Sequence, residues 1–174
     1  MGAVRSRGNR TTEVRLRMGL VRAGISGWTG HPIEIYGKPD LFFQEARLAV
    51  FVDGCFWHGC KRCGHVPKTN QAFWAAKIER NRRRHQQVAK MLARQNVKVL
   101  RFWEHELKED LQSCVAAICK TRDRQKQLTA ARASLEESWR RAETAGLNSI
   151  SDEEIDREIA EVRAERIARR NSAS

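Results

Sequence analysis

At 174 residues and 20.0 kDa the chain has room for one ordinary domain plus an appendage, and its 41% hydrophobic content suffices for a core. Its 33 Lys and Arg against 21 Asp and Glu give a formal charge of +12 and a pI near 10.2, which favours a polyanionic partner, nucleic acid first. No run approaches the roughly 18 to 20 apolar residues of a membrane helix and the N-terminus lacks the apolar core of a secretion signal, so the expectation is a soluble, cytoplasmic, DNA-associated protein with no membrane partner.

The predicted elements begin with a basic amphipathic helix from Arg5 to Gly24, with Val14, Met18 and Val21 spaced as one apolar face and Glu13 set among arginines. Ile33-Glu34-Ile35-Tyr36 alternates as a strand does, and Gly37-Lys38-Pro39 breaks it. Asp40 to Phe43 and Leu48 to Asp53 form a hairpin through the polar turn Gln44-Glu45-Ala46-Arg47. A loop rich in Gly and Cys then runs to about Asn70. The periodicity predicts a long helix from Gln71 to Gln95, with Phe73, Ile78, Val88, Met91 and Leu92 as its apolar positions and arginines crowding its polar side. Asn96 ends it, Val97 to Trp103 is a strand, and a helix from about Glu106 to Lys120 follows, so the order is that of an α/β domain. Cys114 and Cys119 in that last helix are expected to be core thiols.

The domain is therefore expected to span residues 1–120, with a charged helical tail over 121–174 that is solvated or partly disordered. A break falls at Gly146-Leu147-Asn148-Ser149, and Ser151 with Glu154 makes a capping box that opens another helix. Ile155, Ile159 and Val162 form one narrow stripe on it, a surface on which a protein partner can pack.

Three of the five cysteines fall within nine residues, as Cys55-x4-Cys60-x2-Cys63, a clustering that in a reducing compartment points to metal rather than disulfides. His105 can complete three thiolates and one imidazole around a structural Zn2+, with His65 the competing fourth ligand and His58 the next. A set filled entirely by protein leaves no open position for substrate, so such an ion would pin the loop to the strand end.

A turn centred on Glu45 and Ala46 sets Asp40 opposite about Phe51, which makes Asp40 and Asp53 diagonal neighbours on one sheet face, where they can share Mg2+. His58, on the pinned loop, is placed to activate a water, and Glu13 to orient it or the waters of the metal.

The strings Gly37-Lys38-Pro39-Asp40 and Val50-Phe51-Val52-Asp53-Gly54-Cys55-Phe56-Trp57-His58-Gly59-Cys60 resemble the very short patch repair endonucleases. Further matches are Val66 to Asn70, Phe73-Trp74, Lys77-Ile78 with Asn81, and Val99 to His105, so the resemblance covers roughly residues 1–120. It implies a restriction-endonuclease-like fold of the PD-(D/E)xK type: a mixed central sheet flanked by helices, a structural zinc site, and here a helical C-terminal extension. It also implies a Mg2+-dependent endonuclease that nicks one strand of double-stranded DNA beside a T:G mismatch, with other mismatch-repair proteins or a cytosine methyltransferase as conceivable partners.

Carried across, Asp40 matches the Mg2+-binding aspartate, the main-chain carbonyl of Val52 the other protein contact to that ion, His58 the water-activating histidine and Glu13 the glutamate of the N-terminal helix. Cys55, Cys60, Cys63 and His105 align with the zinc ligands. Phe56, Trp57 and Trp74 match aromatics that insert beside the mismatch, and Arg80, Arg82, Arg83 and Arg84 are expected on phosphates. Asp53 stands where the family pattern has a second histidine. The alternatives are a restriction- or defence-type endonuclease of the same fold without mismatch specificity, and a non-catalytic zinc-stabilised DNA-binding module.

Overall fold

The computed structural model describes residues 10–63, 66–146 and 151–171. Arg5 and Arg7 of the expected first helix, His65, and Leu147 to Ser149 of the expected break lie outside the described residues. The elements in chain order are α1 (Arg10–Arg22), β1 (Trp28–Gly30), β2 (Leu41–Phe43), β3 (Leu48–Asp53), α2 (Gln71–Arg94), β4 (Lys98–Trp103), α3 (Glu104–Glu109), α4 (Leu111–Thr144) and α5 (Asp152–Asn171). The strands form one mixed sheet in the order β1-β2-β3-β4, antiparallel except for the parallel pair β3 and β4. A mixed sheet flanked by helices is the general arrangement of the restriction-endonuclease-like fold.

Alternation along the strands sorts the side chains into two layers. Leu41, Phe43, Leu48, Val50 and Phe102 meet Leu16, Leu20, Leu107, Val115 and Ile118 from α1, α3 and α4 on one face. Phe42, Ala49 and Phe51 meet Val88 and Leu92 of α2 on the other. β3 is buried on both faces, which is why its sequence is an almost unbroken apolar run. Cys114 lies in the first layer and Cys119 packs, half-buried, against it.

The hairpin register is the expected one. Leu41 pairs with Val50 and Phe43 with Leu48, which continues to Asp40 beside Phe51. Arg47 takes a left-handed φ of 46° to close the turn, and its N–H donates to Gln44 at 3.1 Å. The end of α2 is also legible in its residues: Asn96, at φ 55°, lets Val97 N–H reach back to the Leu92 carbonyl at 2.9 Å while Asn96 N–H bonds Ala93 at 3.0 Å.

Four expectations are corrected. Residues 33–36 are not a strand: Pro32, the positive φ of His31 and the Gly37-Lys38 turn keep the chain bent, and Ile33 is 81% exposed. Trp28–Gly30 supplies the edge strand instead. In α1 the buried apolar residues are Leu16 and Leu20, with Thr12 buried beside them, while Val14, Met18 and Val21 are exposed, because Leu111 and Val115 of α4 close on the Gly19 side of the helix. In α2, Phe73 is exposed and Met91 half-buried, and the inward stripe is Ile78, Asn81, His85, Val88 and Leu92. Finally, the helix expected over 106–120 is two helices. Asp110 leaves helical geometry at φ −142° and caps α4, accepting from Ser113 N–H at 2.9 Å and Ser113 Oγ–H at 2.6 Å.

The chain divides into two compact units, Met1–Thr129 and Ala130–Ser174. The helix α4 runs without interruption through Thr121, so the compositional shift there is not a break in the backbone. In the second unit Leu135, Trp139, Ile155, Ile159 and Val162 are exposed, and Ser151 caps α5 by accepting from Glu154 N–H at 3.3 Å while Glu154 Oε2 accepts from Ser151 N–H at 3.0 Å. Among the described residues no helix is long and apolar enough to cross a membrane.

The reassigned face of α1 has a direct check. Truncating a fully buried leucine costs about 2–5 kcal/mol, whereas an exposed valine costs under about 0.5 kcal/mol. Leu16→Ala is expected to fall in the first range and Val14→Ala in the second by urea unfolding; equal losses would restore the original face.

Candidate metal centres and active site

Antiparallel β2 begins where parallel β3 and β4 end, so Asp40, Asp53, Arg101 and the residues just after Trp103 meet at one edge of the sheet. In open α/β sheets that carboxyl edge is where ligands bind.

The loop after β3 is tied to this edge by its cysteines. The Sγ atoms of Cys55, Cys60 and Cys63 lie 3.2, 3.6 and 3.5 Å from His105 Nδ1, in the first turn of α3, and Cys60 and Cys63 are 3.6 Å apart. A tetrahedral zinc ion, with Zn–S of about 2.3 Å and Zn–N of about 2.0 Å, sets S···S edges of about 3.8 Å and S···N edges of about 3.5 Å. The donor set and its spacing therefore fit Zn2+. His58 does not join this group; its ring stacks on His85.

The rest of the loop is held from α2. Asn81 Nδ2 donates to the Trp57 carbonyl at 2.7 Å and Arg82 Nη2 to the Gly59 carbonyl at 2.8 Å. Gly59 has φ 63°, and a Cβ there would stand 2.5 Å from Ile78 Cγ2, so only glycine lets the loop lie this close to the helix.

The acidic residues sort into two groups rather than one. Asp40 joins Glu13 and His31: His31 Nε2 is 3.1 Å from Glu13 Oε2, and its Nδ1 is 3.8 Å from Asp40 Oδ1. Asp40 Oδ2 accepts from Val52 N–H at 2.7 Å, so the group of Val52 seen on Asp40 is its amide. Burial pushes the Asp40 carboxyl up to about 6; the Val52 hydrogen bond opposes this, and the nearby charges of Glu13 and Asp53 add to it. Excess negative charge of this kind fits a hard divalent cation.

Asp53 joins His58 and His85 instead. Both its oxygens accept from Arg101 Nη1, at 2.6 and 2.8 Å, and it is only 6% exposed, so its charge is answered within the protein by an ion pair. The rings of His58 and His85 stack at 4.3 Å. Burial lowers the His58 pKa, the charge of Asp53 working against that and Arg101 with it, so the ring is neutral at pH 7. Its Nδ1 is buried without a partner, leaving Nε2 to meet a ligand.

Phe56, Trp57, Phe73 and Trp74 form one aromatic cluster. Phe56 stands edge-on to Trp57 at 5.0 Å and to Trp74 at 5.2 Å, and Phe73 edge-on to Trp74 at 5.3 Å. Lys77 Nζ sits 5.4 Å from the Trp57 ring. None of these rings is buried. Of Arg80, Arg82, Arg83 and Arg84 on α2, Arg82 holds Gly59 and Arg83 pairs with Glu79 at 3.0 Å, and all four are exposed.

His31, His85 and Arg101 escaped the sequence reading. His85 had a signal: it occupies the inward stripe of α2, between Asn81 and Val88, where a histidine must find a partner.

Residues 1–64 match the family described as DNA mismatch endonuclease Vsr. Just under half of the chain is similar in sequence to proteins named as nicking enzymes and as a mismatch endonuclease. The type II nicking enzyme V.NaeI of Lentzea aerocolonigenes is 45% identical over 84 residues, 48% of this chain and 49% of that protein. The corresponding figures are 42% over 87 residues, 48% and 58%, for the type II nicking enzyme V.NmeDIP of Neisseria meningitidis serogroup C. For the DNA mismatch endonuclease Vsr of Escherichia coli they are 36% over 74 residues, 41% and 47%. The chain thus spans about half the length of the curated relatives it matches.

Two measurements test the centres. Elemental analysis is expected to find stoichiometric zinc in the purified chain and less in Cys60→Ser, with a matching loss of thermal stability. Because the folded Asp40 pKa is raised from 3.8 to about 6, ionising it opposes folding: the benefit of the protonated acid is full below pH 4 and is lost as pH rises through 6. In Mg2+-free buffer Asp40→Asn should therefore stabilise the protein by about 1–3 kcal/mol above pH 7 and by almost nothing at pH 4. A pH-independent effect would contradict the raised pKa.

Proposed function

We propose that the chain is a metal-dependent DNA endonuclease that nicks one strand beside a T:G mismatch. The observation that carries this reading is the single loop Cys55–Cys63, which presents both His58 and the aromatics Phe56 and Trp57 at the sheet edge holding Asp40. Chemistry and base recognition are then set by one clamp. The homology to proteins named as nicking enzymes and as a mismatch endonuclease supports the same reading.

Asp40, with the Val52 carbonyl, would hold Mg2+, which when bound supplies charge neutralisation at the phosphate and an acidified water. Glu13, through His31, braces the Asp40 carboxylate. His58, neutral at pH 7, accepts the proton of the attacking water. Phe56, Trp57 and Trp74 stack on bases at the mismatch, whose weakened pairing lowers the cost of opening the duplex. Arg80 and Arg84, both exposed on α2, meet backbone phosphates, and Cys55, Cys60, Cys63 and His105 carry a structural Zn2+.

Nicking of a T:G duplex in Mg2+ with zinc retained, beside its matched counterpart, tests the reading. Asp40→Ala and His58→Ala are each expected to lose at least about a hundredfold in rate, with Trp139→Ala unchanged. Trp57→Ala should weaken the mismatch preference by about fivefold or more, since one base-on-ring stack is worth about 1–3 kcal/mol. Equal cutting by wild type, Asp40→Ala and His58→Ala would eliminate the site; equal cutting of matched and mismatched DNA would leave a nuclease without the mismatch specificity.

A further inference from the structure

Beside the edge that holds Asp40 lies a pocket of about 640 Å³ lined by Asp53, His58, Arg82, His85 and Arg101, among others. Its cations suit an anion, and one hydrogen-bond chain within it fixes a proton. Asp53 grips Arg101 Nη1 with both oxygens, and that same nitrogen lies 3.2 Å from His85 Nδ1. A guanidinium has only donors to offer, so Nδ1 must be the acceptor and the imidazole proton resides on Nε2. Asp53 itself is 3.8 Å from Nδ1, too far to compete for a proton there. Stacking against His58 at 4.3 Å then holds the plane of the ring.

We propose that His85 is a phosphate-binding residue, presenting a fixed Nε2–H to a non-bridging oxygen of the phosphodiester on which His58 acts; this rests on the nuclease reading above. Asp53 and Arg101 are positioning residues, which set the tautomer and do not touch the phosphate through the Asp53 carboxylate. Burial, with Arg101 and His58 beside it, pushes the His85 pKa down to about 4 against the pull of Asp53, so the ring stays neutral. Neutrality matters because a cationic neighbour stacked on His58 would weaken it as a base.

The experiment uses the full zinc-loaded chain with 15N-labelled histidine, titrated with inorganic phosphate and followed by NMR. His85 is expected in the Nε2–H form, with its Nε2 resonance shifted by phosphate. Without Mg2+, affinity for duplex DNA should fall about tenfold in His85→Ala, the value of one hydrogen bond to a charged group, at unchanged zinc content. His85→Gln, whose amide nitrogen reaches near the Nε2 position, should remain within about threefold of wild type. A proton on Nδ1, a His85 signal indifferent to phosphate, or His85→Gln as weak as His85→Ala would each overturn the proposal. If wild type cuts no DNA while the phosphate shift and the Gln rescue both appear, the nuclease reading falls and the phosphate site stands.

Discussion

The parallel pairing of β3 and β4, in register from Leu48 with Lys98 to Asp53 with Trp103, is the constraint on which the rest depends. Parallel strands finish at the same edge, and the crossover between them must leave and re-enter the sheet there and at the opposite end. The cysteine loop and α2 are that crossover. Asp53 and Arg101 are brought within bonding distance from strands separated by the whole of it, and His105 follows β4 to where the three thiols wait. A one-residue slip would turn Asp53 toward the layer of Leu16 and Phe43 and dismantle both arrangements together.

Around that edge, polarity and burial are matched locally. The buried carboxylate of Asp53 is offset by Arg101, whose guanidinium also lies 4.4 Å over the Phe51 ring. Asp40 is offset only in part, by one amide, and is left as an acid that a cation would relieve. The two aspartates stand at one edge of the sheet and differ in what answers them. Asp53 is thereby fixed in an ion pair, while Asp40 is the carboxyl whose charge a bound cation would offset.

Much of the scaffold was legible in the residues. The four-residue turn and the apolar alternation set the β2–β3 register, Asn96 marked the end of α2, and the Cys-x4-Cys-x2-Cys spacing with His105 marked a cluster whose ligand atoms lie close enough to hold a metal. What failed had physical causes. Ile33 to Tyr36 alternates, but a left-handed His31 and a proline deny it a partner strand. Val14, Met18 and Val21 satisfy helical spacing as well as Leu16 and Leu20 do, and only the approach of α4 to Gly19 decides between the faces. Asp110 capping α4 hides inside an unbroken helical pattern. The roles of Arg101 and His85 depend on contacts across 48 and 16 residues of sequence, which no local pattern encodes.

The opposite end of the sheet is built differently. There the Arg47 guanidinium donates to the carbonyls of Gln95 and Asn96, and Lys98 N–H returns to the Arg47 carbonyl at 2.8 Å, so the hairpin turn is stitched to the exit of α2 by one side chain and one main-chain bond. Arg47 is the side chain this end depends on, whereas its turn neighbours Gln44 and Glu45 are exposed. Gln44 is accordingly the place to graft a fluorophore or an affinity handle, since cargo there stands a full strand length from the Asp53 edge and would report on the chain without perturbing that edge.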